Sequence, residues 1–90
     1  MTKALISVTG LDATGIIARV ATKLSEMNIN ILDITQTILS GYFTMVMMVD
    51  LAGMNVSYAE MTAALNELGE KLGLEIRMQR SEIFDAMHRL

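Results

Sequence analysis

The sequence contains no cysteine, no proline and no tryptophan, and it has a single histidine. Without cysteine there is no disulfide framework, no thiolate nucleophile and no sulfur-ligated metal. The lone His88 builds no metal centre, because such a site draws several His, Cys or carboxylate ligands at matched spacing and the sequence offers none. Its place near a helix C-terminus suits capping or solvent exposure. Basic residues are also few: seven Lys and Arg against ten Asp and Glu, for a net charge of −3 and an isoelectric point near 4.9. Sequence-independent nucleic-acid binding draws on clustered Lys and Arg, and here they are scattered, so no direct nucleic-acid contact is expected. No apolar run approaches the roughly 18–20 residues of a membrane span. The opening "MTKALISVTG" alternates and ends in glycine, so it reads as a strand rather than a signal peptide. Together with the absence of cysteine, this points to the cytoplasm. Ser and Thr are plentiful, but none has a base partner in view, so neither a catalytic residue nor a cofactor is expected, and the chain does not read as an enzyme.

What is present is apolar. Hydrophobic residues make up 52% of the 90 positions, and the mean hydropathy is +0.43. The length is that of one domain, 1–90. A chain this short buries only about 60–65% of its unfolded surface and is marginal alone; dimerisation covers more. Nine methionines fit a core with irregular gaps or an adaptable interface.

Periodicity then orders the chain. Residues 3–9, "KALISVT", suit a strand with Ala4, Ile6 and Val8 on one face and Leu5 and Ser7 on the other. A helix follows, with Asp12 as its N-cap and an apolar stripe of Ile16, Ile17, Val20, Ala21, Leu24 and Met27. Arg19, Thr22, Lys23 and Glu26 take its outer face, and Asn28 stops it in the left-handed conformation. "NINILDITQTILSGYFTMVMMVDL" reads as a hairpin across Ser40-Gly41. With a two-residue loop, Leu39 faces Tyr42 and Gln36 faces Met45. Leu32, Ile34, Gln36, Ile38, Phe43, Met45, Met47 and Val49 then form a core face, and Asp33, Thr35, Thr37, Thr44, Val46 and Met48 the other. Asp33 and Gln36 therefore lie on opposite faces and make no single tight site. A buried Gln36 would need a partner, since an unpaired amide costs about 1–3 kcal/mol; that partner is either a structural hydrogen bond or a ligand. Asp50, at a strand end, suits turn chemistry.

A second helix begins at "SYAE", a capping box of Ser57 and Glu60. Its stripe is Tyr58, Met61, Leu65, Leu68 and Leu72, and Gly73 ends it after Lys71. "LEIRMQ" alternates as a half-buried strand, with Leu74, Ile76 and Met78 inward. "SEIFDAMHRL" reads as a short amphipathic helix carrying Ile83, Phe84, Met87 and Leu90. The order β-α-β-β-α-β, with right-handed crossovers, gives an α+β, ferredoxin-like fold: an antiparallel sheet of order 4-1-3-2, both helices on one face, and a short C-terminal helix.

The turn "VTGLDATGIIARV" is the one stretch that invites a ligand. It is not a dinucleotide fingerprint, because it has G-x-x-x-x-G at Gly10 and Gly15 rather than G-x-G-x-x-G; no Gly-Lys-Ser follows, so it is no P-loop. Gly10 lets the chain leave the strand, and Gly15 falls in the helix's first turn, where it costs up to about 1 kcal/mol against alanine. Two readings of Gly15 stand: close approach of a carboxylate to the free amides of a helix N-terminus, or close packing of the helix on a neighbouring strand.

"GLDATGIIARV" followed by "NINILDITQTI" resembles the ACT domain, a small regulatory module that commonly binds amino acids. The hallmark G-x-D-x-x-G-[IV]-[IV] falls on Gly10, Asp12, Gly15, Ile16 and Ile17, and Asn28-Ile29-Asn30 follow at the fitting distance. The end "EIFDAMHRL" is similar to the "DIFxAMHRI" of small stand-alone ACT proteins. Asn30, Asp33 and Gln36 resemble the ACT domains of formyltetrahydrofolate deformylase and the glycine cleavage system repressor. Thr14 stands where many members have proline, which leaves the turn less stiff. The resemblance implies a homodimer or higher homo-oligomer. It also implies an amino acid or similar small carboxylate bound where this turn meets the neighbouring subunit. Carried over, the contacts are Leu11, Asp12, Ala13, Thr14, Gly15, Ile16 and Ile17, whose amides hold the carboxylate. Asp12 or Asn28 would accept from the ligand's ammonium, and Gln36 is a further candidate. The alternative is a ligand-free interaction module that docks an unidentified protein through its open sheet face and C-terminal helix.

Overall fold

The computed structural model describes residues 3–11 and 15–80. Six elements follow one another: β1 (Lys3–Gly10), α1 (Ile16–Glu26), β2 (Asn30–Leu39), β3 (Tyr42–Asp50), α2 (Tyr58–Leu72) and β4 (Glu75–Arg80). All strand pairs are antiparallel, in the order β2-β3-β1-β4. This is the ferredoxin-like α+β fold, with the sheet order 4-1-3-2 that the sequence implied. The C-terminal helix expected over 81–90 lies outside the described residues.

The two central strands carry the core. Their apolar side chains alternate, so Ala4, Ile6 and Val8 of β1 and Phe43, Met45, Met47 and Val49 of β3 all point to one face and are buried. Val20 and Leu24 of α1 and Met61 and Leu65 of α2, each fully buried, close over that face. The opposite face stays open, with half-buried Leu5, Val46 and Met48 at its centre. No side chain among the described residues is both polar and buried.

The hairpin register is the expected one: Leu39 opposes Tyr42 and Gln36 opposes Met45. Ser40 (φ 51°) and Gly41 (φ 82°) form the turn, and two consecutive positive φ values are the signature of a type I′ turn, whose twist suits a two-residue hairpin.

Three expectations fail, each for a local physical reason. First, β2 does not complete the core face. It is an edge strand, and beyond its first residues the helix layer does not cover it: Leu32 and Ile34 are each 42% exposed and Ile38 is 69% exposed. Gln36 on the same strand is exposed, so its amide is open to water and needs no buried partner. Second, a β-bulge between Ile31 and Asp33 inserts Leu32 as an extra residue. Ile31, rather than Leu32, therefore opposes Val49 and packs on the core. Third, the N-cap of α1 is Gly15, not Asp12. Gly15 thus stands before the first turn, not within it, and its φ of 73° is its reason for being glycine, since a Cβ strains the left-handed region. Ile17 falls off the buried stripe and is 37% exposed.

The other end of α1 is firmly held. Asn28 adopts φ 57°, as expected of a helix stop. Its Nδ2 donates to the Gly53 carbonyl at 2.6 Å, Asn55 N–H donates to Met27 O at 3.1 Å, and Asn55 Nδ2 donates to Glu26 O at 3.2 Å. The orphan carbonyls of the helix end are thereby satisfied. α2 opens on the expected capping box: Glu60 N–H donates to Ser57 Oγ and Ser57 N–H to Glu60 Oε1, both at 3.1 Å.

Candidate functional site

The turn between β1 and α1 starts from a close contact. Gly10 is buried at the end of β1, and a Cβ there would collide with the Leu74 side chain. The glycine thus lets the β4 approach lie tight against β1, which fixes where the turn begins. Leu11 then swings out and is 72% exposed. Asp12, Ala13 and Thr14 lie outside the described residues. The described residues resume at Gly15, whose own Cβ position would face open space.

The first bond of the helical ladder runs from Arg19 N–H to Gly15 O at 3.0 Å. The amides of Ile16, Ile17 and Ala18 precede it, so no carbonyl of the helix itself accepts from them. Gly15 has no side chain with which to cap them, and the first turn carries no acidic residue to compete for them. Such an end attracts an anion, because the amides point outward and the helix dipole adds positive potential. The Ile16 side chain is 4% exposed and belongs to the core, so only its backbone faces this site. Ile17 offers a half-exposed apolar edge beside it.

The sequence candidates do not all gather in one chain. Gly10 of β1 pairs with Phe43, which pairs with Ile38; the turn, the hairpin tip and the start of α1 therefore share one end of the molecule. Gln36 lies two pairs in from that row, on β2, with β3 between it and β1. Asn28 lies at the opposite end, where Lys3, Asp50 and Asn30 line up. The 11 residues of α1 separate Gly15 from it, a distance of about 17 Å at 1.5 Å per residue. Asn28 lines a shallow groove with Ala21, Ser25 and Ile29–Ile31. Its Nδ2 is engaged on Gly53, while its Oδ1 remains a possible acceptor. Of these, Ser25 went unnoticed in the sequence, although its spacing of four from Ala21 hints that it shares a helix face with that residue.

The second helix end differs electrostatically. The Ser57 backbone N–H, and then its hydroxyl, hold the Glu60 carboxyl below the usual glutamate range. Among the described residues no group of three or more His, Cys, Asp or Glu is placed to hold a metal ion, and no helix is long and apolar enough to cross a membrane.

The architecture defines a small α+β module of ferredoxin-like fold. The ACT domain family model matches residues 2–79, and the chain belongs to that family. ACT domains are in general small-molecule-binding regulatory modules rather than enzymes. The chain is 52% identical over 90 residues to a UPF0237 protein of Bifidobacterium longum, with 100% of each chain covered. It superposes on an ACT domain protein from Streptococcus pneumoniae with a TM-score of 0.82 at 36% identity, covering 92% of this chain and 93% of that one. A formyltetrahydrofolate deformylase from Pseudomonas syringae also reaches a TM-score of 0.82 over 90% of this chain but only 28% of its own, at 20% identity. That likeness is one of fold.

Proposed function

We propose that this chain is a cytoplasmic, single-domain regulatory module, spanning 1–90, that binds an amino acid or similar small carboxylate across a homodimer interface. The observation that carries this reading is the glycine-capped N-terminus of α1. Three amides with no acceptor within the helix, a side-chain-free cap at Gly15 and no acidic residue in the first turn suit it to a carboxylate. The ammonium of the same ligand then needs an acceptor. Asn28 of the same chain is about 17 Å away along α1, so a second subunit running the opposite way is the economical source of one. Leu11, Asp12, Ala13, Thr14, Ile16 and Ile17 complete the turn, and Gln36 stands at the same end. Ligand bound between two subunits favours one packing of them, and a partner protein reads the difference. A cysteine-free chain suits a reducing compartment.

The test is a thermal-shift screen against the twenty amino acids and related carboxylates. A ligand at 100 times its Kd raises stability by about 2.7 kcal/mol, a clear rise in Tm. The hit should vanish in Gly15→Asn, which keeps the left-handed backbone but places a side chain over the amides. A flat screen from folded protein overturns the sensor. It would favour the ligand-free docking module, whose open sheet face carries Leu5, Val46 and Met48.

A further inference from the structure

Two apolar surfaces of this chain call for a cover, and they adjoin. The first is the open face of the sheet. The strand registers lay it out in rows that cross β4, β1, β3 and β2: Gln79, Leu5, Met48 and Asp33 form one, and Arg77, Ser7, Val46 and Thr35 the next. Its apolar members, Leu5, Val46 and Met48, sit half-buried on the two central strands, with exposed polar residues at either edge. The second surface belongs to the ten residues that follow β4, "SEIFDAMHRL". They lie outside the described residues, and the ACT family match stops short of them at residue 79. Ile83, Phe84, Met87 and Leu90 recur at helical spacing, and Ser81 is a good N-cap. A helix this short is marginal in water unless its apolar stripe is covered.

We infer that residues 81–90 form a helix lying across the open sheet face of their own chain, stripe down on Leu5, Val46 and Met48. Place, length and charge select this occupant. Arg80 pairs with Ala4, beside Leu5, so the segment starts at a corner of the face and needs no long loop to reach it. From β4 to β2 is three strand spacings, about 14 Å, and helical residues 82–90 span about 13.5 Å. At 1.5 Å per residue Phe84 stands over β1 and Met87 over β3. The face carries Arg77 at its β4 edge and Asp33 at its β2 edge. Two of the five Arg77 donors are on Glu75, which leaves three, and among the described residues no cation is paired with Asp33. A helix running from β4 to β2 brings Glu82 and Asp85 to the arginine and Arg89 to the aspartate, and each sign suits its own end of the helix dipole. A separate partner competes with a tethered segment whose effective concentration is about millimolar. The inference does not depend on the ligand reading, because the α1 N-terminus lies in the layer on the other side of the sheet.

The chain lacks tryptophan, so Phe84→Trp is a lone reporter. Its emission should be blue-shifted in the native full-length protein, return to that of a solvated indole in urea, and hold on dilution. Leu5→Asp, added to it, should bring the native emission to the solvated position with unchanged circular dichroism. Should Leu5→Asp disturb the sheet, cysteine pairs decide, since the chain has none of its own. Met48→Cys with Met87→Cys should close a disulfide within one chain under mild oxidation. Glu67→Cys with Met87→Cys should not, because Glu67 is exposed on the helix layer. A native emission already at the solvated position overturns the inference. So does a blue shift that Leu5→Asp leaves in place in folded protein, or one that fades on dilution. A 48–87 link that forms between two chains, or a 67–87 link formed in preference to it, overturns it as well.

Discussion

The two βαβ halves of this chain share a plan and finish it differently. In the second half every loose end is closed: α2 opens on a reciprocal capping box, Gly73 ends it at φ 71°, and β4 is short and charge-paired. In the first half the ends that face the hairpin tip stay open. α1 begins on a glycine that offers no cap, and β2 leaves three large apolar side chains in water. The difference is one of completion. Orphan amides and unpaired strand edges carry a cost that folded proteins rarely leave standing. A half that leaves both open on one side of the molecule is arranged to be finished by something else.

The comparison has measurable consequences, and the largest lies in the core. Leu65 of α2 is fully buried, so Leu65→Ala should cost about 2–5 kcal/mol and lower the urea midpoint equally at every protein concentration. Ile38→Ala removes a side chain that is 69% exposed in the single chain. Its effect on the chain's own fold should stay within about 0.5 kcal/mol, with any further loss appearing only as a concentration-dependent midpoint. A concentration-independent loss above 2 kcal/mol at Ile38 would erase the contrast between the halves. The helix entries come next. Gly15→Ala places a Cβ at φ 73° and should cost about 1–2 kcal/mol, whereas Gly15→Asn should cost markedly less; equal losses would mean that the position demands absence of a side chain rather than a left-handed backbone. Ser57→Ala removes the cap of α2 and should cost about 1 kcal/mol, read from the same unfolding curves.

These differences also mark what the sequence could disclose. Ser57 and Glu60, Gly73, the Ser40-Gly41 turn and the hairpin register are local, and local chemistry was enough to place them. The alternation of Ala4, Ile6, Val8 and of Phe43 to Val49 disclosed the central strands. The edge strand was misjudged because "NILDITQTIL" has the composition of an interior strand; whether its apolar face is covered depends on sheet order and helix reach, which are tertiary facts. The bulge at Leu32 leaves no mark in composition, yet it reassigned Ile31 to the core. At the turn, Asp12 has the better capping chemistry, but the cap position is Gly15, whose φ of 73° suits a residue without a Cβ. The pattern at Gly10 to Ile17 was legible as a motif. Asn28 as the far stop of α1 was legible too, and its left-handed φ bears it out.

The smallest expected effect tests how the second half is closed. Glu60 accepts from the Ser57 backbone N–H and from its hydroxyl, and these bonds hold its carboxyl below the ordinary glutamate value. A carboxyl whose pKa is lowered by folding stabilises the folded state above its unfolded value. That contribution is lost as the pH falls through the folded value, because the unfolded chain binds the proton first. Stability should therefore decline between the ordinary glutamate range, near 4.5, and the lowered value beneath it. Glu60→Gln keeps an acceptor for Ser57 N–H but has no proton to take up, so its unfolding midpoint should lose this part of the acid dependence while remaining close to wild type at neutral pH. α1 has no acidic residue in its first turn, so an acid-induced loss that persists undiminished in Glu60→Gln would have to come from carboxylates elsewhere. The capping box would then close α2 by its neutral hydrogen bonds, not by its charge.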